Sequence, residues 1–305
     1  MRFVFRRLLI AIPSLLIVSV FIFMLQHLAP GDPTYLVTGP VVSDEVYQRT
    51  RAQLGLDEPL PVQYWTFLSN VLRGDLGTSL LSKRPTLDLI VDRLPKTLAI
   101  SLGAMALSYV VGMTAGVIAA IKRGSIWDVL VMGAATLGMA VPGFWLGLML
   151  IMLFAVRLDW LPASGASTPR HFVLPILALG AGEAASIARV IRSSMLEALS
   201  GDYIRTARAK GLREGIVIVR HALRNALLPI ISILGMQIGF LLTGAVIVET
   251  VFAFPGLGRL LIDSILNKDF PVVQGVLLVI GLMIVLGNLL ADVIYRFVDP
   301  RIETI

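Results

Sequence analysis

Few residues of this 305-residue chain could do chemistry, and their spacing excludes most kinds of it. The three histidines, His27, His171 and His221, are far apart, so no histidine metal site is expected. The chain has no cysteine. That removes disulfides, thiolate metal sites, iron–sulfur clusters and cysteine nucleophiles. No G-x-x-x-x-G-K-[ST] run is present to cradle a nucleotide phosphate. Neither G-x-S-x-G nor H-E-x-x-H occurs, so the common hydrolase signatures are missing too. Two features remain. Glu183 is the one acid inside a long apolar stretch. It is either a functional group or a structural hydrogen-bonding group near the inner leaflet. The other feature is residues 193–224, with six bases from Arg205 onward and the acids Glu197, Asp202 and Glu214.

That basic segment reads as two short helices. Gly201-Asp202 can open the first, with the acid near its start and Arg208 and Lys210 near its end, as the helix dipole favours. Gly211 suits its stop. In the second, Ile216, Val219, Leu223 and Ala226 fall at helical spacing, with Arg213, Arg220 and Arg224 on another face. On residue pattern alone, a basic surface helix resting on acidic lipid headgroups is the simpler reading, and a protein partner is the other.

The elements that must hold these residues are set by hydrophobicity. Apolar residues make up 56% of the chain and charged residues 15%, against a usual half and a quarter. The mean hydropathy is +0.85. A soluble domain and a disordered chain are both excluded. Leu8–Leu25, Leu98–Ile121, Val129–Val156, Asn225–Val248 and Phe270–Ala291 contain no charged residue, and Phe172–Ala188 contains only Glu183. A membrane helix needs about 20 apolar residues. Barrel strands are shorter and alternate with polar residues. Six helical spans are therefore expected. The third contains Pro142-Gly143, so a kink or tilt is expected there. Gly112-x3-Gly116, Gly143-x3-Gly147 and Gly235-x3-Gly239 each put two glycines on one helix face, where membrane helices can cross closely.

Orientation follows from the bases. Arg2, Arg6 and Arg7 precede the first apolar run, and no small-x-small cleavage site follows it, so a retained first helix is expected. With the N-terminus inside, fifteen bases fall inside and four (Arg157, Arg170, Arg259, Lys268) fall in the short outside loops. Loops beyond about 60 residues do not count, which sets aside the segment after the first span. Both termini are expected in the cytoplasm.

Residues 29–96 then lie outside. They open with the turn Pro30-Gly31-Asp32-Pro33 and carry helix-like stretches near Ser43–Leu54 and Val62–Leu72. Further on, Glu249 closes an apolar run, and Phe254-Pro255-Gly256-Leu257-Gly258 cannot continue a regular helix. A break and a short helix are expected at this outer end. An ordinary external loop is the alternative.

The run from Glu197 to Gly211, including Asp202-Tyr203-Ile204-Arg205-Thr206-Ala207-Arg208-Ala209-Lys210-Gly211, resembles the EAA coupling loop of bacterial ABC importer permeases. With His221-Ala222-Leu223-Arg224-Asn225-Ala226-Leu227-Leu228-Pro229 it is closest to the peptide-importer branch. Pro30–Pro33, Leu54–Leu60, Gly74–Ser79 and Val248–Leu260 resemble the same branch, and specifically the first permease of its pair, which has a long loop after helix one. The glycines depart from the general EAA consensus, since here Gly201 and Gly211 bracket the helix.

The resemblance implies an all-α polytopic fold with six transmembrane helices, N-in and C-in. A long extracytoplasmic segment follows helix 1, and a cytoplasmic coupling helix lies between helices 4 and 5. The expected divisions are a first helix (1–28), an extracytoplasmic cap (29–96), a permease core (97–298, with the coupling loop at 193–224) and a tail (299–305). The implied protein is a non-catalytic permease subunit of an ATP-driven importer in the bacterial inner membrane, taking dipeptides, oligopeptides or glutathione. Its implied partners are a second permease, two cytoplasmic ATPase subunits, an extracytoplasmic substrate-binding protein and membrane lipid. No cofactor or nucleic acid is expected. In this resemblance Glu197, Asp202, Tyr203, Arg205, Thr206, Ala207, Arg208, Lys210 and Gly211 couple to an ATPase. Tyr203, Ile204, Ala207 and Leu212 bury against it. Glu249, Phe254, Pro255 and Gly256 belong to an outer gate. The competing class is a secondary, ion-coupled carrier; the scarcity of intramembrane acids weighs against it. A membrane scaffold with a basic loop comes third.

Overall fold

The computed structural model describes residues 2–28, 34, 38, 42–53 and 55–298. The expected Pro30–Pro33 turn, Leu54 and the 299–305 tail lie outside the described residues. Among those described, regular structure is helical, apart from one isolated bridge between Thr78 and Pro85. Five helices are long and apolar enough to cross a membrane: Leu9–Leu28, Thr86–Ile121, Arg170–Ser200, Ile233–Val251 and Phe270–Arg296. A bent pair, Ile126–Ala140 with Gly143–Arg157, makes a sixth if it is one span.

The chain divides into two compact units. The first comprises Met1–Lys96 and Pro255–Val285. Its helices include α1 (Arg2–Leu28), α2 (Asp44–Gln53), α3 (Leu60–Leu72) and the opening turns of α4 (Thr86–Ile121). The expected helices near 43–54 and 62–72 are thus present as α2 and α3. Phe23 of α1 stacks with Tyr64 and Phe67 of α3 at centroid distances of 5.5 and 5.8 Å. Ser19 and Tyr64 share a 2.9 Å hydrogen bond. Buried Asp269 accepts from Ser79 Oγ at 2.5 Å and from the Leu80 amide at 3.0 Å, so its carboxylate is fully engaged by the loop before α4.

The second unit comprises Thr97–Phe254 and the chain from Leu286 onward. It holds the rest of α4, α5 (Ile126–Ala140), α6 (Gly143–Leu150) with its π-helical continuation Ile151–Arg157, α7 (Arg170–Ser200), α8 (Asp202–Ala209), α9 (Glu214–Ile216), the π-helical turn Val217–Leu223, α10 (Arg224–Ala226) and α11 (Leu228–Val251). The kink expected in the third apolar stretch is a 103° bend between α5 and α6. Val141 caps α5 in an extended conformation and Pro142 precedes α6. Proline supplies no amide to carry the ladder across.

α4 and α7 cross closely. A Cβ on Gly112 would lie 2.6 Å from the Ala184 carbonyl, and one on Gly116 would lie 2.5 Å from that of Ala188. The glycine pair there lets two backbones approach, as its spacing suggests. Near the C-terminal end of α7, Arg192 holds Asp128 of α5 with two bonds of 2.6 and 2.8 Å, and the Gly124 amide donates a third at 3.0 Å. This planar fork fixes the start of α5 against α7.

Candidate functional site

α8 begins where Gly201, in extended conformation, hands its carbonyl to the Ile204 amide at 3.0 Å. Asp202 sits in the first turn and Arg208 in the last, matching the dipole. Thr206 Oγ1 bonds the Asp202 carbonyl at 3.0 Å, and Arg205 reaches Asp202 at 3.4 Å. The helix ends at Gly211, whose φ of +76° is left-handed. Nothing lies within 4 Å of a Cβ placed there, so a side chain would be opposed by the backbone conformation and not by crowding.

Across that turn Arg208 grips Glu214 with two hydrogen bonds of 2.6 and 3.1 Å. The Arg208 hydrogen bond holds the Glu214 carboxyl below the usual carboxylate range, and Glu214 raises the Arg208 guanidinium in turn. Arg208, expected to face an outside partner, therefore closes the loop on Glu214 of its own chain.

The helix has two distinct faces. Ile204 and Ala207, 0% and 5% exposed, belong to a core with Ile187, Ile191, Met195, Ala198, Val217, Ala222, Ala226 and Ile230. Asp202, Tyr203, Arg205, Thr206, Arg208, Lys210 and Gly211 are exposed, as is Glu197 on α7. The expectation that Ile204 and Ala207 bury against a partner is corrected here, because both are covered by their own chain. Tyr203 and Leu212, 43% and 37% exposed, remain outward. The core beneath α8 draws on α7, the π-helical turn and the start of α11. α8 thus packs directly against two long helices.

At the other end of this unit, Glu249 is fully buried and accepts from Thr97 Oγ1 at 2.6 Å. α11 stops two residues later, and Ala253 takes a φ of +45°. Phe254 is fully buried, edge-on to Phe172 at 5.1 Å, with its amide on the Glu249 carbonyl at 2.8 Å. The expected break is present. In the first unit, Gly256 caps the ten-residue helix α12 (Leu257–Leu266), with half-exposed Pro255 just before it. α13 (Phe270–Val298) follows, contributing to the first unit up to Val285 and to the second beyond it.

The sequence reading missed the Asp128–Arg192 fork, whose members are 64 residues apart with no local pattern joining them. It also left Glu183 without a setting. Glu183 lies beside Gln237 of α11, and Gln237 Oε1 accepts from Tyr109 of α4 at 2.7 Å. Among the described residues, no group of three His, Asp or Glu side chains could hold a metal.

Five helices, or six with the bent pair, long and apolar enough to cross a membrane give the described residues the form of a polytopic membrane protein. The chain belongs to the family of binding-protein-dependent transport system inner membrane components. That family's model matches residues 112–304, and the model of its N-terminal region matches residues 1–101. The glutathione transport system permease protein GsiC of Escherichia coli (strain K12) is 46% identical over 303 residues, covering 99% of each chain. The protein of that name from Pectobacterium atrosepticum gives the same figures. A chain of the inward-facing MetNI methionine ABC transporter shares the fold, with a TM-score of 0.58 at 22% identity over 69% of this chain and 96% of that one. A chain of an amino acid ABC transporter with histidines gives 0.52 at 19% over 76% and 98%. The protein is a non-catalytic, multi-pass ABC importer permease of the bacterial inner membrane, and ATP hydrolysis belongs to separate subunits. Other components of such a system, ATPase and permease among them, are its partners. The ion-coupled carrier reading falls away.

Proposed function

We propose that this chain forms half of the translocation pathway of a peptide importer, with glutathione or short peptides as cargo. It pairs with a second permease, receives cargo from an extracytoplasmic binding protein and is driven by two cytoplasmic ATPase subunits. The observation that carries the cargo class is the 46% identity, end to end, with glutathione permeases.

The residue roles follow from exposure. The outward face of α8, formed by Asp202, Tyr203, Arg205, Thr206 and Lys210, docks into a groove on an ATPase, with Glu197 at its edge. Ile204 and Ala207 pass the resulting rigid-body motion to α7 and α11. Arg208, Glu214 and Gly211 hold the turn. The span count is six, with the bent α5–α6 pair as the third, which keeps the basic loop inside and residues 29–85 outside. The outer gate includes the Glu249–Phe254 break and the Pro255-Gly256 start of α12.

The test is uptake of labelled glutathione and trialanine by proteoliposomes holding the whole complex, with ATP inside and binding protein outside. ATP-dependent, binding-protein-dependent uptake is expected. Uptake driven by an ion gradient without the ATPases would overturn the reading.

A further inference from the structure

α2 and α3 are consecutive helices of the first unit, yet they differ in kind. α2 carries Asp44, Glu45, Arg49 and Arg51. α3 has no charged residue in 13, and the nearest charges, Asp57, Glu58 and Arg73, stand just beyond its two ends. A soluble helix of this composition is covered on most sides, but here Trp65 and Leu72 are 69% and 78% exposed. Pro61 is exposed and Leu68 half-buried. These four residues fall at i, i+4, i+7 and i+11, which makes one apolar stripe along the helix.

The contacts of α3 with α1 set its depth. Tyr64 and Phe67 stack on Phe23, and Gln63 Oε1 and His27 Nε2 are 3.1 Å apart. The apolar span of α1, Leu9–Leu28, has 20 residues. That is about 30 Å of helix, the thickness of the hydrocarbon core, so Leu28 stands at its boundary. Phe23 then lies about 7.5 Å inside that boundary. Helices that rest in the interface plane bury their apolar face about 5–10 Å. At this level α1 itself exposes Phe21, Leu25 and Leu28, the surface a membrane helix turns to lipid. Opposite the stripe, Gln63, Thr66 and Asn70 at i, i+3 and i+7 line a cavity of about 300 Å³ with Asp75. The polar and apolar sides of α3 are thus separated, as an interfacial helix requires.

We propose that α3 is a membrane-interface helix whose partner is the lipid leaflet in which α1 ends. Pro61, Trp65, Leu68 and Leu72 lie among the upper acyl chains, and Trp65 anchors the helix at the headgroup boundary, where Trp is enriched. An exposed apolar stripe can also mark a protein interface. The level of Phe23 within the α1 span decides for lipid, because it sets α3 beside hydrocarbon. The helix then braces the second half of α1 and ties the segment that follows it to the bilayer surface. This inference does not depend on the cargo.

The experiment places a spin label on Trp65→Cys or Leu72→Cys of the whole importer in lipid vesicles, with the other subunits in cysteine-free form. This chain has no cysteine of its own, so each label is unique. Gln48→Cys, on the exposed side of α2, is the water reference. Relaxation by dissolved oxygen, which concentrates in lipid, is compared with relaxation by a water-soluble nickel chelate. At residues 65 and 72 oxygen is expected to be several times the more effective, with the order reversed at residue 48. The chelate prevailing at 65 and 72 as it does at 48 would put the stripe in water and overturn the proposal. Access by neither reagent would mean that a protein covers the stripe, and would overturn it equally. Leu72, the more exposed of the two, decides alone if the Trp65 variant does not assemble.

Discussion

Thr206 and Ala207 are adjacent on α8, yet one is exposed and the other is 5% exposed inside its own chain's core. A large side chain has different consequences at each. Ala207→Trp must displace side chains of the core around it, and overpacking of this kind costs roughly 1–3 kcal/mol. We expect it to lower the thermal midpoint of the purified complex and reduce assembled protein, whether or not an ATPase is bound. An unchanged midpoint would mean that residue 207 faces outward. The Arg208–Glu214 bridge makes a second residue-level prediction. Its direction is that of a lowered carboxyl: the contribution is complete above the unfolded Glu value of about 4.3 and fades as pH falls through the lower folded value. At neutral pH the bridge is therefore fully formed. Glu214→Gln should weaken substrate-stimulated ATP hydrolysis severalfold, equally at about pH 6 and pH 8, since neither lies in its titration range. A defect confined to one of these pH values would point to another group.

At the scale of elements, what the sequence revealed and what it hid follow from local physics. Long charge-free runs declare membrane helices, because burying a charge in hydrocarbon is costly. Gly201, Asp202 and Gly211 declare the ends of α8 through local backbone and dipole effects. The facing of that helix was not legible. Ile204 and Ala207 lie at i, i+3, a spacing that says one face is covered but not by what. The 103° turn at Val141-Pro142 was visible only as a proline, since a bend's size depends on the packing on either side. The Asp128–Arg192 fork and the Tyr109–Gln237 bond join positions 64 and 128 residues apart, beyond any local pattern. Orientation across the membrane is tested at this scale. The chain has no cysteine, so single cysteines report cleanly. Ser82 and Ser200 are both exposed. We expect Ser82→Cys to react with an impermeant maleimide in intact spheroplasts, and Ser200→Cys to react only after lysis. Labelling of Ser200→Cys in intact spheroplasts would reverse the topology.

For the whole molecule, the account joins a membrane fold without catalytic groups to an energy source held by other subunits. The proposed link is the outward face of α8, seated on a core that also contains residues of α7 and α11. If this segment only rested on acidic lipid, its effect would follow net charge, at about 1 kcal/mol per basic residue near the surface. A neutral change of shape would then matter little. If it sits in a tight protein groove, shape matters at constant charge. The most direct measurement is Thr206→Trp in proteoliposomes holding the complete importer, with uptake and substrate-stimulated ATP hydrolysis read together. The account predicts that both fall in parallel, by about tenfold, with normal membrane insertion and an unchanged thermal midpoint of the permease. Wild-type uptake and hydrolysis in Thr206→Trp, alongside graded loss as Arg205 and Lys210 are neutralised one at a time, would contradict it.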